Sequence, residues 1–234
     1  MIVLSIGMPR AGSAWHYNLI NDLMRTNGSA DVREIRAKYR LQNILTEKNF
    51  NIGILNAKRL GLAAVPALLG NTFVIKAHAA PTTTSRLFQR LGLLRITTIY
   101  RDPRDAMLSA YQIGAQDLQR GHPNAFSHLT DFQKSLDFIL DHVHIWEKWT
   151  KERDVLMVRY EDLLTEYEGE VTRLLGFLKL DGSRPAIQKV IEAYHPTAER
   201  QGRIGKFREF YSAEQQQLLV EKMGTYIGRM GYGM

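Results

Sequence analysis

Ile2-Val3-Leu4-Ser5-Ile6-Gly7-Met8-Pro9-Arg10-Ala11-Gly12-Ser13-Ala14-Trp15 is a β-rich apolar run that ends in a turn containing two glycines. Beyond it Trp15, Leu19, Ile20, Leu23 and Met24 recur at helical spacing, so the segment reads strand, glycine-rich turn, helix. Such a junction aims several backbone N–H groups and the positive end of a helix dipole at one point, which suits a phosphate. Gly7 and Gly12 have the spacing of a P-loop, but Ser13 and Ala14 stand where a Walker A motif has Lys followed by Ser or Thr. The lysine that reaches the β- and γ-phosphates is missing. The turn therefore points either to a relative of the P-loop that holds a smaller phosphate group or to a strand-to-helix turn with glycines for steric reasons.

Outward from this turn, Phe73-Val74-Ile75, Arg95 to Tyr100 and Asp154 to Val158 are further strand candidates, each followed by a helical pattern. Helices are predicted over 82–91, 103–118, 131–152, 161–177, 184–193 and 212–230, while residues 26–60 read as variable loop and short helices. Strands that alternate with helices predict an α/β fold, a P-loop-like three-layer sandwich whose central parallel sheet of about four to five strands is flanked by helices. With no repeat or linker, residues 1–234 are expected to form one domain.

Tyr100-Arg101-Asp102-Pro103-Arg104-Asp105 supplies a second anchor, with Asp102 as N-cap, Pro103 at the first helical position and Asp105 at N3. Arg101 then sits at the carboxyl end of a strand, and Ser109 lies two turns into the following helix. Ligands of open α/β sheets bind at that edge, so Arg101 and Ser109 are expected to share a site with the first turn. A guanidinium and a hydroxyl suit a second phosphate, unless Arg101 and Arg104 merely pair with Asp102 and Asp105.

The 31 Lys and Arg against 24 Asp and Glu give a formal charge of +7, which favours anionic partners without choosing among them. The absence of cysteine excludes disulfides and thiol chemistry and fits a reducing compartment, with the cytoplasm as the default. The opening residues lack the basic region of a signal peptide, and no run reaches the roughly 20 apolar residues of a membrane span.

Taken together, these stretches resemble the sulfotransferases that use 3′-phosphoadenosine 5′-phosphosulfate. Gly7 to Trp15 is similar to their 5′-phosphosulfate loop, and Tyr100 to Gln112 to their 3′-phosphate motif. Phe73 to Pro81 resembles the Lys-Thr-His segment, Val158 to Glu166 the Tyr-Glu-Asp-Leu junction, and Arg200 to Gln215 the C-terminal Arg-Lys-Gly segment with the stretch that follows it.

The resemblance implies His78 as general base, with Lys76 and Arg10 as the cations of the reacting centre. It implies donor contacts from Arg10, Ala11, Gly12, Ser13, Ala14, Trp15, Arg101, Ser109, Tyr160, Arg200, Gln201 and Gly202. Arg10 replaces a lysine common in the family, and with a pKa above about 12 it can neutralise charge but is a poor proton donor. Ala14 removes one hydroxyl of the family's Thr-Thr pair, and Gln201 stands where Lys is frequent. Trp15 either stacks on adenine or belongs to the core, and the Gly114 to Phe126 stretch is read as a lid over the acceptor cleft or else a surface loop.

The implied donor is 3′-phosphoadenosine 5′-phosphosulfate as co-substrate, with no metal. The acceptor would be a hydroxyl or amine of a small molecule or saccharide, on a monomer or homodimer with no nucleic-acid partner. The competing reading is a P-loop nucleotide or small-molecule kinase, which needs the missing Walker lysine and a carboxylate-held Mg²⁺. A nucleic-acid module would need a basic stripe with interleaved aromatics, whereas these cations are spread out.

Overall fold

Strand β1 (Ile2–Gly7) is buried along its whole length, which explains why it reads as one apolar run and not as an alternating one. The computed structural model describes residues 1–198 and 204–233. In it β1 lies between β2 (Phe73–Ala77) and β3 (Leu94–Tyr100), and β4 (Val155–Arg159) pairs with β3. All pairings are parallel and give the order β2-β1-β3-β4. The register aligns Lys76, Ser5 and Thr97 in one row across the sheet.

From β1 the chain runs through α1 (Ser13–Thr26), α2 (Val32–Lys38) and α3 (Ala57–Leu68) to β2. It then passes back over β1 through α4 (Thr83–Arg90) to reach β3 on the other side. Parallel crossovers are right-handed, so these two connections take opposite faces of the sheet. The reversal opens a crevice outside the carboxyl ends of β1 and β3, where ligands of such sheets bind. Helices α5 (Pro103–Gln119) and α6 (Phe132–Trp149) lead to β4. They are followed by α7 (Tyr160–Thr165), α8 (Tyr167–Leu178), α9 (Pro185–Ala193), α10 (Phe207–Phe210) and α11 (Ala213–Arg229).

One helical prediction needs correction, and one helix was not predicted. The helix expected over 161–177 breaks at Glu166, where φ is −127° and ψ is 39°. No Gly or Pro marks the break. Instead Tyr167 is held by its partners: its ring stacks on Trp15 with centroids 6.3 Å apart, and its hydroxyl donates to the Ile191 carbonyl at 2.8 Å. The twelve-residue α3 starts at the end of the region read as loop and short helices and runs past it, capped by the Asn56 side chain, which accepts from the Arg59 N–H at 2.9 Å. Gly61 and Pro66 lie inside α3 and hide it from periodicity, yet Leu60, Ala63, Ala64 and Ala67 form its buried face.

Candidate active site

Gly7 ends β1 where the chain turns sharply into α1, and a Cβ on it would lie 2.2 Å from the Ser13 Cβ. Gly12 adopts φ +75°, and a Cβ there would lie 2.7 Å from the Tyr160 ring. Both glycines are thus demanded by close approach. The loop between them is closed from within: the Ala11 N–H donates to the Met8 carbonyl at 3.1 Å, and the Met8 N–H donates to Ile99 on β3 at 3.0 Å. Ala11 is fully buried. Helix α1 starts without a side-chain cap and without an acidic residue in its first turn, so its positive end is left for an anion.

Arg10 adopts φ +63°, an uncommon conformation for a residue with a side chain, and this turns the guanidinium toward α5. Its Nε donates to the Ser109 hydroxyl at 3.2 Å, and its guanidinium carbon lies 5.6 Å from the centroid of the Phe126 ring. Arg101, nearly fully buried, donates to the Arg10 carbonyl at 3.3 Å and lies 4.7 Å over the Tyr160 ring. The three expected phosphate contacts, Arg10, Arg101 and Ser109, therefore meet. They line two adjoining cavities of about 410 and 250 Å³, the smaller one bordered also by Gly12, Ser13, Ala14, Trp15 and Tyr160.

Trp15 packs in the core at the rim of the smaller cavity. It is 8% exposed, stacks on Tyr167 and donates from Nε1 to the Tyr194 carbonyl at 3.1 Å, yet it borders the smaller cavity. Arg104 does take the structural role: it pairs with Asp102 at 2.7 Å and stacks 4.2 Å over Phe207. Arg200, Gln201 and Gly202 lie outside the described residues. Their neighbour Gly205 is anchored, because Asp105 accepts from the N–H groups of Gly205 at 2.7 Å and Phe207 at 3.0 Å. Burial pushes the Asp105 pKa up, and the Arg101 guanidinium 3.8 Å away opposes that shift.

His78 lies just beyond β2, with Nδ1 against the Gly7 carbonyl. A carbonyl only accepts, so Nδ1 carries the proton and Nε2 keeps the lone pair. Burial, then the charge of Lys76, lowers the His78 pKa to about 4. Lys76 is itself buried, which lowers its pKa to about 8, and His16 is depressed first by its own burial and then by the Lys76 charge. His16, with no exposed surface, sits between the Ser5 and Thr97 hydroxyls at 3.2 Å from each.

Sequence reading missed that Asp105, Ser109, Gln112 and Gln116 share one face of α5 and line the larger cavity with Lys206. Their spacing of four, three and four residues was the available signal. The expected lid divides differently: residues 114–119 continue α5, and the following loop folds back so that a Cβ on Gly114 would lie 2.3 Å from the Phe126 carbonyl oxygen.

The sequence pattern of the sulfotransferase domain matches residues 2–218. Human sulfotransferase 2B1 is 23% identical over 195 residues, which are 81% of this chain and 49% of that protein. The chain thus spans about half the length of that curated relative. Retinol dehydratase in complex with androsterone and inactive cofactor PAP superposes with a TM-score of 0.59 at 16% identity, covering 97% of this chain and 80% of that one. Mouse sulfotransferase SULT7A1 complexed with PAP gives 0.59 at 15% identity, covering 98% and 87%. These superpositions establish a common P-loop-like fold, and the match over residues 2–218 establishes the family: the chain belongs to the sulfotransferase domain family.

Proposed function

We propose that this chain transfers a sulfuryl group from 3′-phosphoadenosine 5′-phosphosulfate to a hydroxyl, or an amine, of a small-molecule or saccharide acceptor. The observation that carries the reading is the contact of His78 Nδ1 with the Gly7 carbonyl, which fixes the imidazole beside the phosphate loop with Nε2 as its basic atom. The glycine cradle and the uncapped start of α1 suit the 5′-phosphosulfate, and Arg101 with Ser109 suits the 3′-phosphate. Human sulfotransferase 2B1 and the PAP-bound structures of the same fold agree with a donor of this class.

In this reading the acceptor loses its proton to His78 Nε2 while its oxygen or nitrogen forms the new bond to sulfur, and the bond from sulfur to the bridging oxygen breaks. Arg10 and Lys76 neutralise the charge that gathers on the sulfuryl and departing oxygens. Arg10 acts by charge alone. His78 is neutral at pH 7 and ready to accept, and the negative donor raises its basicity toward neutrality by opposing the desolvation and the Lys76 charge. The polar face of α5 borders the space left for the acceptor. The domain of residues 1–234 is read as one catalytic unit, placed in the cytoplasm.

The test is His78→Ala. Calorimetric titration with 3′-phosphoadenosine 5′-phosphate, without Mg²⁺, is expected to give the affinity of the parent protein, while turnover of an acceptor found by screening phenols, alcohols, amines and saccharides falls by about 10²- to 10⁴-fold. Unchanged turnover would remove His78 from the base role, and failure of the parent protein to bind the nucleotide would overturn the donor assignment.

A further inference from the structure

At the opposite edge of the sheet, where β2 and β3 begin, helices α3 and α4 end in exposed leucines. Leu69 and Leu91 occupy the C-cap positions of the two helices. Leu68 is 68% exposed, Leu69 67%, Leu91 62% and Leu87 50%. On α3, Leu62 and Val65 extend the same stripe, since positions 62, 65, 68 and 69 fall within about a third of the helix circumference. That stripe lies opposite the buried Leu60, Ala63, Ala64 and Ala67, so α3 is apolar on both sides although only one meets the core. α3 packs against α4, where Leu87 and Leu91 follow one another at i, i+4.

Beside these leucines the chain forms a cavity of about 940 Å³, larger than the site cavity of about 410 Å³ at the other edge. Its wall includes Arg86, Arg90, Arg95, Lys151, Arg153 and Lys179 against only two carboxylates, Glu152 and Asp154. Glu152 is occupied by Arg86, which reaches it at 2.6 and 3.0 Å. Among the described residues the other five cations form no ion pair. The two features adjoin: Arg86 and Arg90 alternate with Leu87 and Leu91 on α4, and the Met1 ammonium on the cavity wall donates at 2.7 Å to the Asn71 carbonyl just after α3.

We infer that this edge docks on an anionic lipid bilayer, with the leucines of α3 and α4 entering the acyl boundary and the basic cavity receiving lipid phosphates. Charge complementarity selects this occupant. A second copy of the chain, related by a two-fold axis, would bring one cation-rich cavity against another, whereas an anionic surface satisfies both the charge and the apolar stripe at once. No helix among the described residues is long and apolar enough to cross a membrane, so the contact is a surface one. Docking through this edge leaves the crevice at the carboxyl ends of the strands facing away from the lipid.

The test is co-sedimentation of the full chain with vesicles of phosphatidylcholine alone and of phosphatidylcholine with equimolar phosphatidylglycerol, without nucleotide, so that its outcome is independent of the sulfuryl-transfer reading. The chain is expected to bind the anionic vesicles only, and more weakly as salt rises. Leu68→Ser with Leu91→Ser should lower partition by about tenfold or more, since each leucine otherwise leaves water. Arg90→Gln with Arg153→Gln should lower it independently, and circular dichroism of each variant checks that the fold is intact. Absence of binding to the anionic vesicles overturns the inference. So does a pair of leucine substitutions without effect, displacement by inorganic phosphate at matched ionic strength, or a concentration-dependent dimer abolished by the leucine substitutions.

Discussion

The two edges of the same four-stranded sheet treat charge in opposite ways. At the carboxyl edge Arg101, Asp105 and Glu161 are buried and held by backbone: Arg101 donates to the Arg10 carbonyl, Asp105 accepts from Gly205 and Phe207, and Glu161 accepts from Asp102. At the amino edge Arg90, Lys151, Arg153 and Lys179 stand exposed beside exposed leucines. A charge fixed by directional bonds in a dry cleft selects a ligand of defined shape, whereas mobile charges in water attract any surface of opposite sign. The first edge has the character of a binding site for one small molecule, the second that of a docking face.

Glycines at the two edges differ as sharply as the charges do. A Cβ on Gly7 would meet the Ser13 Cβ at 2.2 Å, while one on Gly92, where φ is +71°, would meet nothing within 4 Å. Gly7→Ala is therefore expected to cost about 3 kcal/mol or more and to abolish nucleotide binding, because the loop must open. Gly92→Ala should cost only about 1 kcal/mol of backbone strain. Chemical denaturation of both variants, with calorimetry of nucleotide binding, checks the contrast; equal losses would mean that the loop relaxes easily.

Arg101→Ala comes next. Its charge-assisted contact is worth about 1.5–3 kcal/mol, so nucleotide affinity is expected to fall roughly ten- to hundredfold. A variant with the affinity of the parent protein would remove Arg101 from the 3′-phosphate site.

The smallest effect is a slope in stability with pH. Burial holds the His16 pKa near 3 in the folded chain, against about 6.5 when unfolded. Above pH 6.5 both states are neutral and the site contributes no pH dependence. Between about 6.5 and 3 only the unfolded chain takes up the proton, so stability falls with acid by about 1.4 kcal/mol per unit at most from this residue. His16→Asn should flatten that slope in urea titrations run from pH 7 to pH 4. An unchanged slope would mean that His16 protonates in place.

Much of the carboxyl edge was legible in the sequence because it is built from local rules. Gly7 and Gly12 mark the turn, Asp102 and Pro103 mark the start of α5, and the apolar runs mark the strands. What stayed hidden was set by tertiary contact. Nothing around Glu166 announces the break before Tyr167, and Asp105 read as an ordinary first-turn acid although it holds the segment after Gly202. The burial that moves His78 and Lys76 comes from neighbours distant in sequence. The amino edge escaped because part of its apolar stripe lies on α3, whose Gly61 and Pro66 obscure the helical period, and because its cations are spread over α4, β3 and two loops.

His16 has one further consequence. Each of its ring nitrogens faces a hydroxyl, and a hydroxyl can donate or accept, so the ring can carry its proton on either nitrogen without any heavy atom moving. Its nitrogen resonances would then read the balance between two tautomers. Anchored on the first turn of α1, directly behind the loop of Gly7 and Gly12, His16 is a reporter already built into the chain, able to register an anion on the far side of that loop without a label in the cleft.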